Sequence, residues 1–183
     1  MTSAFIFPGQ GSQAVGMGKE LAESYPVAKA VFEAVDDALD QKLSTLMFEG
    51  PEDQLTLTEN AQPAIMAVSF AVMRVLESEG GLNLVDAASH LAGHSLGEYS
   101  AHAAAGTFLL ADTARLLKTR GRAMQQAVPL GEGAMAALIG LGPEDAKAVA
   151  AEAAGDQVCE FANDNAEGQV VVSGSKAAVE RAV

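Results

Sequence analysis

The stretch Leu91-Ala92-Gly93-His94-Ser95-Leu96-Gly97-Glu98 decides how the rest of this chain is organised. Residues 88–92 predict a short buried strand, and the alanine-rich residues 96–105, closed by Gly106, predict a helix. Ser95 stands between them with glycine two residues before and two residues after it, which is the G-x-S-x-G pattern of a nucleophile elbow. Strand and helix nearly touch at such a turn, so the flanking residues must be small.

A serine at the tip of that turn is a candidate nucleophile. Its hydroxyl is lifted clear of the sheet, and the N–H groups at the start of the following helix can stabilise an oxyanion beside it. The alternative is a chance occurrence of the motif in a loop. The strand and the helix predicted on either side of Ser95 favour the nucleophile.

Composition bounds the class of protein. The chain has 183 residues, of which 49% are hydrophobic, enough for one domain of usual size with an appended subdomain. A formal net charge of -13 argues against general nucleic-acid binding, since duplex phosphates require Lys and Arg. One cysteine, Cys159, excludes an intrachain disulfide. The apolar run 4–7 is too short for a signal peptide or a membrane span, so we expect a cytoplasmic protein with no membrane partner.

The first two thirds of the chain alternate strand and helix patterns. Residues 4–7 predict a buried parallel strand, and the glycine-rich turn 8–13 follows it. Residues 9–14 spell G-x-G-x-x-A, but the acidic residues some 20 positions further on fall in a helical pattern, which argues against dinucleotide binding. Helical patterns then cover 26–39, 61–79 and 111–127.

The pattern changes after Pro129. A strand over 133–141 and a helix over 144–154 are followed by strands over 158–162 and 169–172 and by a helix that runs to 183. This βαββα order is that of a ferredoxin-like unit without its last strand. We therefore expect two domains, residues 1–128 and residues 129–183, with the second one truncated.

Arg120 is the second informative residue. On the helix predicted over 111–127 it falls between Leu116 and Leu117, on the apolar face, where a cation is costly unless an anion meets it. Two interpretations stay open at this point. Arg120 either pairs with a buried carboxylate of the protein or awaits the carboxylate of a substrate, which its guanidinium could grip through two parallel hydrogen bonds.

A nucleophilic serine requires a general base, usually a histidine. His94 is adjacent to Ser95 and leaves the elbow in another direction, while His90 lies about 16 Å back along the strand. His102 is nearly on the Ser95 face of the helix but about 10 Å further along it. Local geometry therefore gives Ser95 no base, which suggests a fragment or one half of an enzyme.

Five linked motifs carry a family resemblance. They are Phe7-Pro8-Gly9-Gln10-Gly11-Ser12-Gln13, Gln62-Pro63, Gly93-His94-Ser95-Leu96-Gly97-Glu98-Tyr99-Ser100, Arg120-Gly121 and Gly133-Ala134-Met135-Ala136-Ala137, with Asn165 ahead of Gly168-Gln169-Val170-Val171. The set resembles the bacterial malonyl-CoA:acyl carrier protein transacylases of fatty acid synthesis and the acyltransferase domains of polyketide and fatty acid synthases.

The resemblance implies roles for individual residues. Ser95 would be the acylated nucleophile, and the backbone N–H groups of Gln10 and Leu96 would form the oxyanion hole. Arg120 would bind the free carboxylate of the malonyl group, and Gln62 would line the pocket. The resemblance implies no cofactor and no metal ion.

The resemblance also implies the fold, which is α/β. The larger part would be an α/β-hydrolase-like subdomain with a parallel sheet, and the smaller part a ferredoxin-like subdomain, both incomplete at the C-terminus. In this family a catalytic histidine follows the small subdomain, which places it beyond Val183. A C-terminal fragment or a second chain would then supply the base, and residues 1–183 alone would transfer no malonyl group at a useful rate.

The expected reaction moves a malonyl group from malonyl-CoA to the pantetheine thiol of acyl carrier protein. A polyketide synthase acyltransferase domain and a serine esterase are the enzymatic alternatives, and a fragment that only binds CoA or carrier protein is the non-catalytic one. Arg115, Lys118 and Arg122 cluster on one face of their predicted helix. That face is either a patch for an acidic carrier protein or an ordinary solvated surface.

Overall fold

The computed structural model describes residues 3–129 and 131–183. The chain divides into two compact units, Met1–Gln125 and Gln126–Val183. Within the described ranges, no helix is long and apolar enough to cross a membrane.

The first unit contains two strands and eight helices among its described residues. They are β1 (Ser3–Phe7), α1 (Lys19–Ser24), α2 (Pro26–Leu39), α3 (Leu43–Glu49), α4 (Glu52–Thr56), α5 (Thr58–Ser78), α6 (Leu84–Ala87), β2 (Ala88–Gly93), α7 (Leu96–Ala104) and α8, which runs two residues past the unit boundary (Leu110–Ala127). The strands and the long helices were predicted, whereas α1, α3, α4 and α6 were not. These four helices have only four to seven residues each, too few for an apolar periodicity to stand out.

Strands β1 and β2 pair in parallel, with Phe5 opposite Leu91 and Phe7 opposite Gly93. Both strands end at the same edge, so the loops that follow them are neighbours there. The prediction that these strands are buried is wrong for most of their residues, because Phe7 alone is buried and Ile6 is 78% exposed. The two strands form a sheet of their own, and helices of this unit cover it only in part.

The core of the first unit lies between helices. Helix α5 supplies Ile65 and Met66, which pack with Val35 of α2 and Leu117 of α8, all at most 2% exposed. Helix α5 begins three residues earlier than predicted, so Pro63 lies inside it rather than in its first turn. Proline has no N–H, and the carbonyl of residue 59 therefore has no intrahelical partner at that position.

The second unit is a three-stranded antiparallel sheet with two helices. Its elements are β3 (Gly133–Ile139), α9 (Pro143–Ala154), β4 (Cys159–Ala166), β5 (Gln169–Ser175) and α10 (Lys176–Ala182). Strand β5 lies between β3 and β4, and its buried Val170 and Val172 pack with Ala146 of α9 and Val179 of α10. The predicted βαββα order and the α/β class are confirmed, although β4 and β5 extend further than predicted.

Candidate functional site

The elbow is built as its glycine spacing predicts. Ser95 connects β2 to α7 with φ 55° and ψ -110°, a backbone conformation that is strained for any residue with a side chain. A side chain at Gly93 would overlap the backbone of Gly97, so the strand and the helix touch at this point. The tertiary contacts around the turn therefore hold Ser95 in this conformation, with its hydroxyl presented at the tip.

The loop after β1 packs directly against the elbow. The backbone N–H of His94 donates to the carbonyl of Phe7 at 3.1 Å, and a side chain at Gly97 would lie 2.8 Å from the carbonyl oxygen of Pro8. Gln10 follows in the same loop, where its side-chain amide donates to Thr58 Oγ1 at 3.3 Å. The loop that carries Gln10 is thereby fixed beside the first turn of α7.

Leu96 is the first residue of α7, and its side chain is fully buried. The first amides of a helix have no partner within the helix, so the backbone N–H of such a residue is available to an anion. The side chain anchors the residue in the core, which leaves its backbone as the part that meets the elbow.

Three predicted site residues come together in space. Arg120 of α8 donates from Nη2 to Ser95 Oγ at 3.1 Å and from Nη1 to Gln62 Oε1 at 2.6 Å. Gln62 is fully buried in α5, and its Nε2 donates to Met124 Sδ at 3.3 Å. The Cζ atom of Arg120 lies 5.8 Å from the centre of the Tyr99 ring, within the range of a cation–π contact.

These contacts bear on the two interpretations of Arg120. Among the described residues, both hydrogen bonds that it makes go to neutral acceptors, an amide oxygen and a hydroxyl. The face around it is partly open, since Met124 is 47% exposed. A half-buried guanidinium held by neutral partners and touching a serine hydroxyl retains its affinity for an anion that enters from solvent.

Lys118, two residues before Arg120 on α8, does not belong to an open basic patch. It is 7% exposed, and its Nζ lies 3.1 Å from Glu59 Oε2 and 2.8 Å from Asn60 Oδ1. Arg122 binds the same carboxylate at 3.0 Å. Lys118 therefore contributes neither to a patch with Arg115 and Arg122 nor to an ordinary solvated face, because α8 packs it against the start of α5.

Glu59 responds to its two cationic neighbours. Hydrogen bonds from Arg122 and Lys118 hold the pKa of the Glu59 carboxyl below its usual value of 4.5, against a smaller opposite effect of desolvation. Glu59 is thus ionised near neutral pH and joins two positions of α8 to α5. The contacts of Glu59 with Lys118 and Arg122 were not predicted from the sequence. The spacing of Lys118, Gly121 and Arg122 on one helical face is nevertheless typical of a contact surface.

His90 and His102 contact side chains close to them in the chain. His90 Nδ1 lies 2.9 Å from Ser89 Oγ, and the ring of His102 packs against that of Phe108 with 5.2 Å between centroids. His94 lies against Gly9, where any side chain would overlap its ring.

The comparison with protein families decides the family. The model of the family described as "Acyl transferase domain" matches residues 4–183. The chain belongs to this family. As an acyl transferase domain it carries the serine elbow and Arg120 within its first unit, where the hydrogen bonds described above connect them.

Named relatives of this acyl transferase domain agree in their activity. It is 47% identical over 180 residues to "Malonyl CoA-acyl carrier protein transacylase" of Bacillus subtilis. The aligned residues make up 98% of this chain and 55% of the relative. A crystal structure of an acyl-carrier-protein-S-malonyltransferase from Bartonella henselae is 60% identical, with a TM-score of 0.94, over 100% of this chain and 58% of that one.

A second similar structure contains a partner protein. It is described as a type II PKS acyl-carrier protein in complex with its malonyl-transacylase, and it is 44% identical with a TM-score of 0.91. It covers 100% of this chain and 58% of that one. The chain thus spans little more than half the length of the relatives that it matches.

Proposed function

We propose that this chain is part of an enzyme that transfers a malonyl group from malonyl-CoA to acyl carrier protein, in fatty acid biosynthesis. The observation that carries the proposal is the contact of Arg120 with the hydroxyl of Ser95, at 3.1 Å. It supports the proposal because a guanidinium, a group suited to binding a carboxylate, lies within the length of a short acyl chain from the proposed nucleophile. The names of the relatives support the same substrates.

In the proposed first half-reaction, Ser95 Oγ attacks the thioester carbonyl of malonyl-CoA and its proton passes to a general base. The negative charge that develops on the carbonyl oxygen is stabilised by the backbone N–H groups of Gln10 and Leu96. The carbon–sulfur bond then breaks, CoA leaves as the thiol after taking up the proton, and the malonyl group remains as an ester of Ser95.

In the second half-reaction, the pantetheine thiol of acyl carrier protein attacks the malonyl ester and Ser95 leaves with a proton. When malonyl-CoA binds, Arg120 turns from the Ser95 hydroxyl to the malonyl carboxylate. It holds that carboxylate through two parallel hydrogen bonds in both half-reactions. Gln62, which holds one nitrogen of the guanidinium, lines this part of the pocket and limits where Arg120 can turn.

We propose that the general base comes from outside residues 1–183, from a C-terminal part of the protein or from a second chain. The share of each relative that this chain covers supports this part of the proposal. We further propose that the two units act as the two predicted domains, with the elbow in the larger one and the antiparallel sheet in the smaller one.

Trapping of the acyl-enzyme tests the proposal. The protein, together with the C-terminal part or second chain that supplies its base, is incubated with malonyl-CoA or acetyl-CoA. The intact mass is measured before and after carrier protein is added. We expect a malonyl adduct that persists in water and transfers to carrier protein, and no adduct on the Ser95→Ala variant. Rapid hydrolysis of the adduct would instead identify a serine esterase.

Arg120→Ala provides the test of substrate choice. We expect malonyl transfer to fall by about 100-fold, because a charge-assisted bidentate contact is lost, while acetyl transfer rises or stays constant. An unchanged preference for malonyl-CoA in this variant would contradict the role of Arg120. If the protein forms an adduct with neither thioester, the chain is one that only binds CoA or carrier protein.

A further inference from the structure

A set of residues next to Arg120 joins the start of α5 to the middle of α8. We call this set the brace. It consists of Glu59 and Asn60 on α5 and of Lys118, Gly121 and Arg122 on α8.

Lys118 is the centre of the brace. A buried ammonium group is costly unless charge and hydrogen bonds surround it, and Lys118 has the carboxylate of Glu59 at 3.1 Å and the amide oxygen of Asn60 at 2.8 Å. Asn60 is itself fixed, since Gln41 Nε2 donates to its oxygen and its own Nδ2 donates to the carbonyl of Gln54. Lys118 is thus bound to groups that cannot move independently of α5.

Gly121 allows the two helices to approach closely enough for these bonds. A Cβ atom at this position would lie 2.6 Å from the Cα of Glu59 and 2.7 Å from the carbonyl oxygen of Thr58. Backbone therefore contacts backbone there, and the distance between α5 and α8 is fixed at the level of residue 121.

The brace is adjacent to the contact between Arg120 and Gln62. Gln62 is three residues beyond Glu59 on α5, and Arg120 lies between Lys118 and Gly121 on α8. Rotation of α8 about its axis, or sliding along α5, would displace Arg120 from Gln62 and strain the 2.6 Å hydrogen bond between them. The rotation and position of α8 are therefore held within one turn of Arg120, whose direction depends on them.

We infer that Glu59 and Lys118 are positioning residues for Arg120 and so determine the preference for a diacid over a monoacid thioester. The inference rests on the proposed function, in which Arg120 binds the free carboxylate of the substrate. An acetyl group has no such carboxylate, and its transfer does not depend on where the guanidinium points. Loss of the brace should consequently impair malonyl transfer and leave acetyl transfer nearly intact.

The Glu59→Gln variant tests this in the protein with its base supplied, with kcat/KM measured for malonyl-CoA and acetyl-CoA. Glutamine keeps the size of the side chain and removes its charge. Since misplacement of a binding group by about 1 Å can cost a factor of about 100, we expect the malonyl-to-acetyl ratio to fall by about tenfold. The matched control is Glu33→Gln, whose carboxylate forms an exposed pair with Lys29 and should leave the ratio unchanged.

A second variant separates positioning from stability. Glu59→Gln combined with Lys118→Met removes both charges of the pair at once, that of the buried Lys118 and that of the partly exposed Glu59, and keeps the volume, which commonly restores the stability that a broken pair loses. We expect its Tm to return toward that of the wild type while the malonyl-to-acetyl ratio stays low. This variant also decides the question if Glu59→Gln alone does not fold.

Three outcomes would count against the inference. A ratio that recovers together with Tm in the double variant would show a merely structural role. If Glu59→Gln keeps the wild-type preference for malonyl-CoA, the inference is overturned but the proposed function is not. A wild-type protein without any preference for malonyl-CoA would overturn the proposed function and the inference with it.

Discussion

The elbow and the junction of α5 with α8 are assembled by different means. At the elbow, backbone meets backbone, and the shape depends on the absence of side chains at Gly93 and Gly97. At the junction, backbone also meets backbone at Gly121, but side chains 58 or more residues apart in sequence add charge and hydrogen bonds, as Lys118 and Asn60 do. Ser95 is placed by the first and Arg120 by the second.

The difference predicts different sensitivities. A backbone contact does not depend on pH or salt but tolerates no added atom. A contact made by side chains tolerates small changes of volume and depends on charge. Substitutions at the two places should therefore differ in size of effect and in dependence on solution conditions.

The largest effect is expected at the elbow. In Gly93→Ala the new methyl group overlaps the backbone of Gly97, and neither segment can yield without moving Ser95. We expect a loss of at least about 3 kcal/mol in the free energy of unfolding, measured by urea denaturation. The matched control is Gly142→Ala, where nothing lies within 4 Å of the new atom. A Gly93→Ala protein as stable as this control would refute the backbone contact.

Removal of the buried cation should have the next largest effect. Lys118→Ala leaves Glu59 and Asn60 without a shared partner, but Arg122 still binds Glu59. We therefore expect a loss of about 2 kcal/mol, below that of a fully isolated buried charge. Lys29→Ala, at an exposed pair, should change stability by less than about 0.5 kcal/mol. Equal effects of the two substitutions would contradict the burial of Lys118.

The junction should also respond to pH, unlike the elbow. Folding lowers the pKa of Glu59 below its usual 4.5, so its stabilisation is complete above that value and is lost as pH falls through the folded pKa. Wild type should be more stable than Glu59→Gln near neutral pH, and the two should converge in acid. Urea denaturation over a pH series measures this, and a constant difference at all pH values would contradict it.

The smallest effect is expected at the rim of the junction. Arg122→Gln removes a pair whose arginine side chain is 60% exposed, which should cost less than about 1 kcal/mol. Because solvent screens such a pair, the difference from wild type should shrink in 1 M NaCl, where the screening length is about 3 Å. A loss that is unaffected by salt would indicate packing of the arginine stem instead of charge.

Sequence reasoning succeeded where a few neighbouring residues determine the structure. The G-x-S-x-G spacing sufficed to predict β2, the turn and α7, because only glycine fits where strand and helix touch. The unusual position of Arg120 on its helix was also visible from the 100° periodicity. The same periodicity assigned Lys118 to an exposed face, because it gives directions around one helix but does not show which neighbouring element covers a face.

The elbow, the order of the strands and longer helices, and the interest of Ser95 and Arg120 could all be predicted from the residues alone. The contacts of Arg120 with Ser95 and Gln62, and the burial of Lys118 against Glu59, could be seen only in the folded chain. The cause is the range of the interactions. Backbone conformation and steric fit act between near neighbours in the chain, whereas the partner of a charged side chain depends on how distant helices pack.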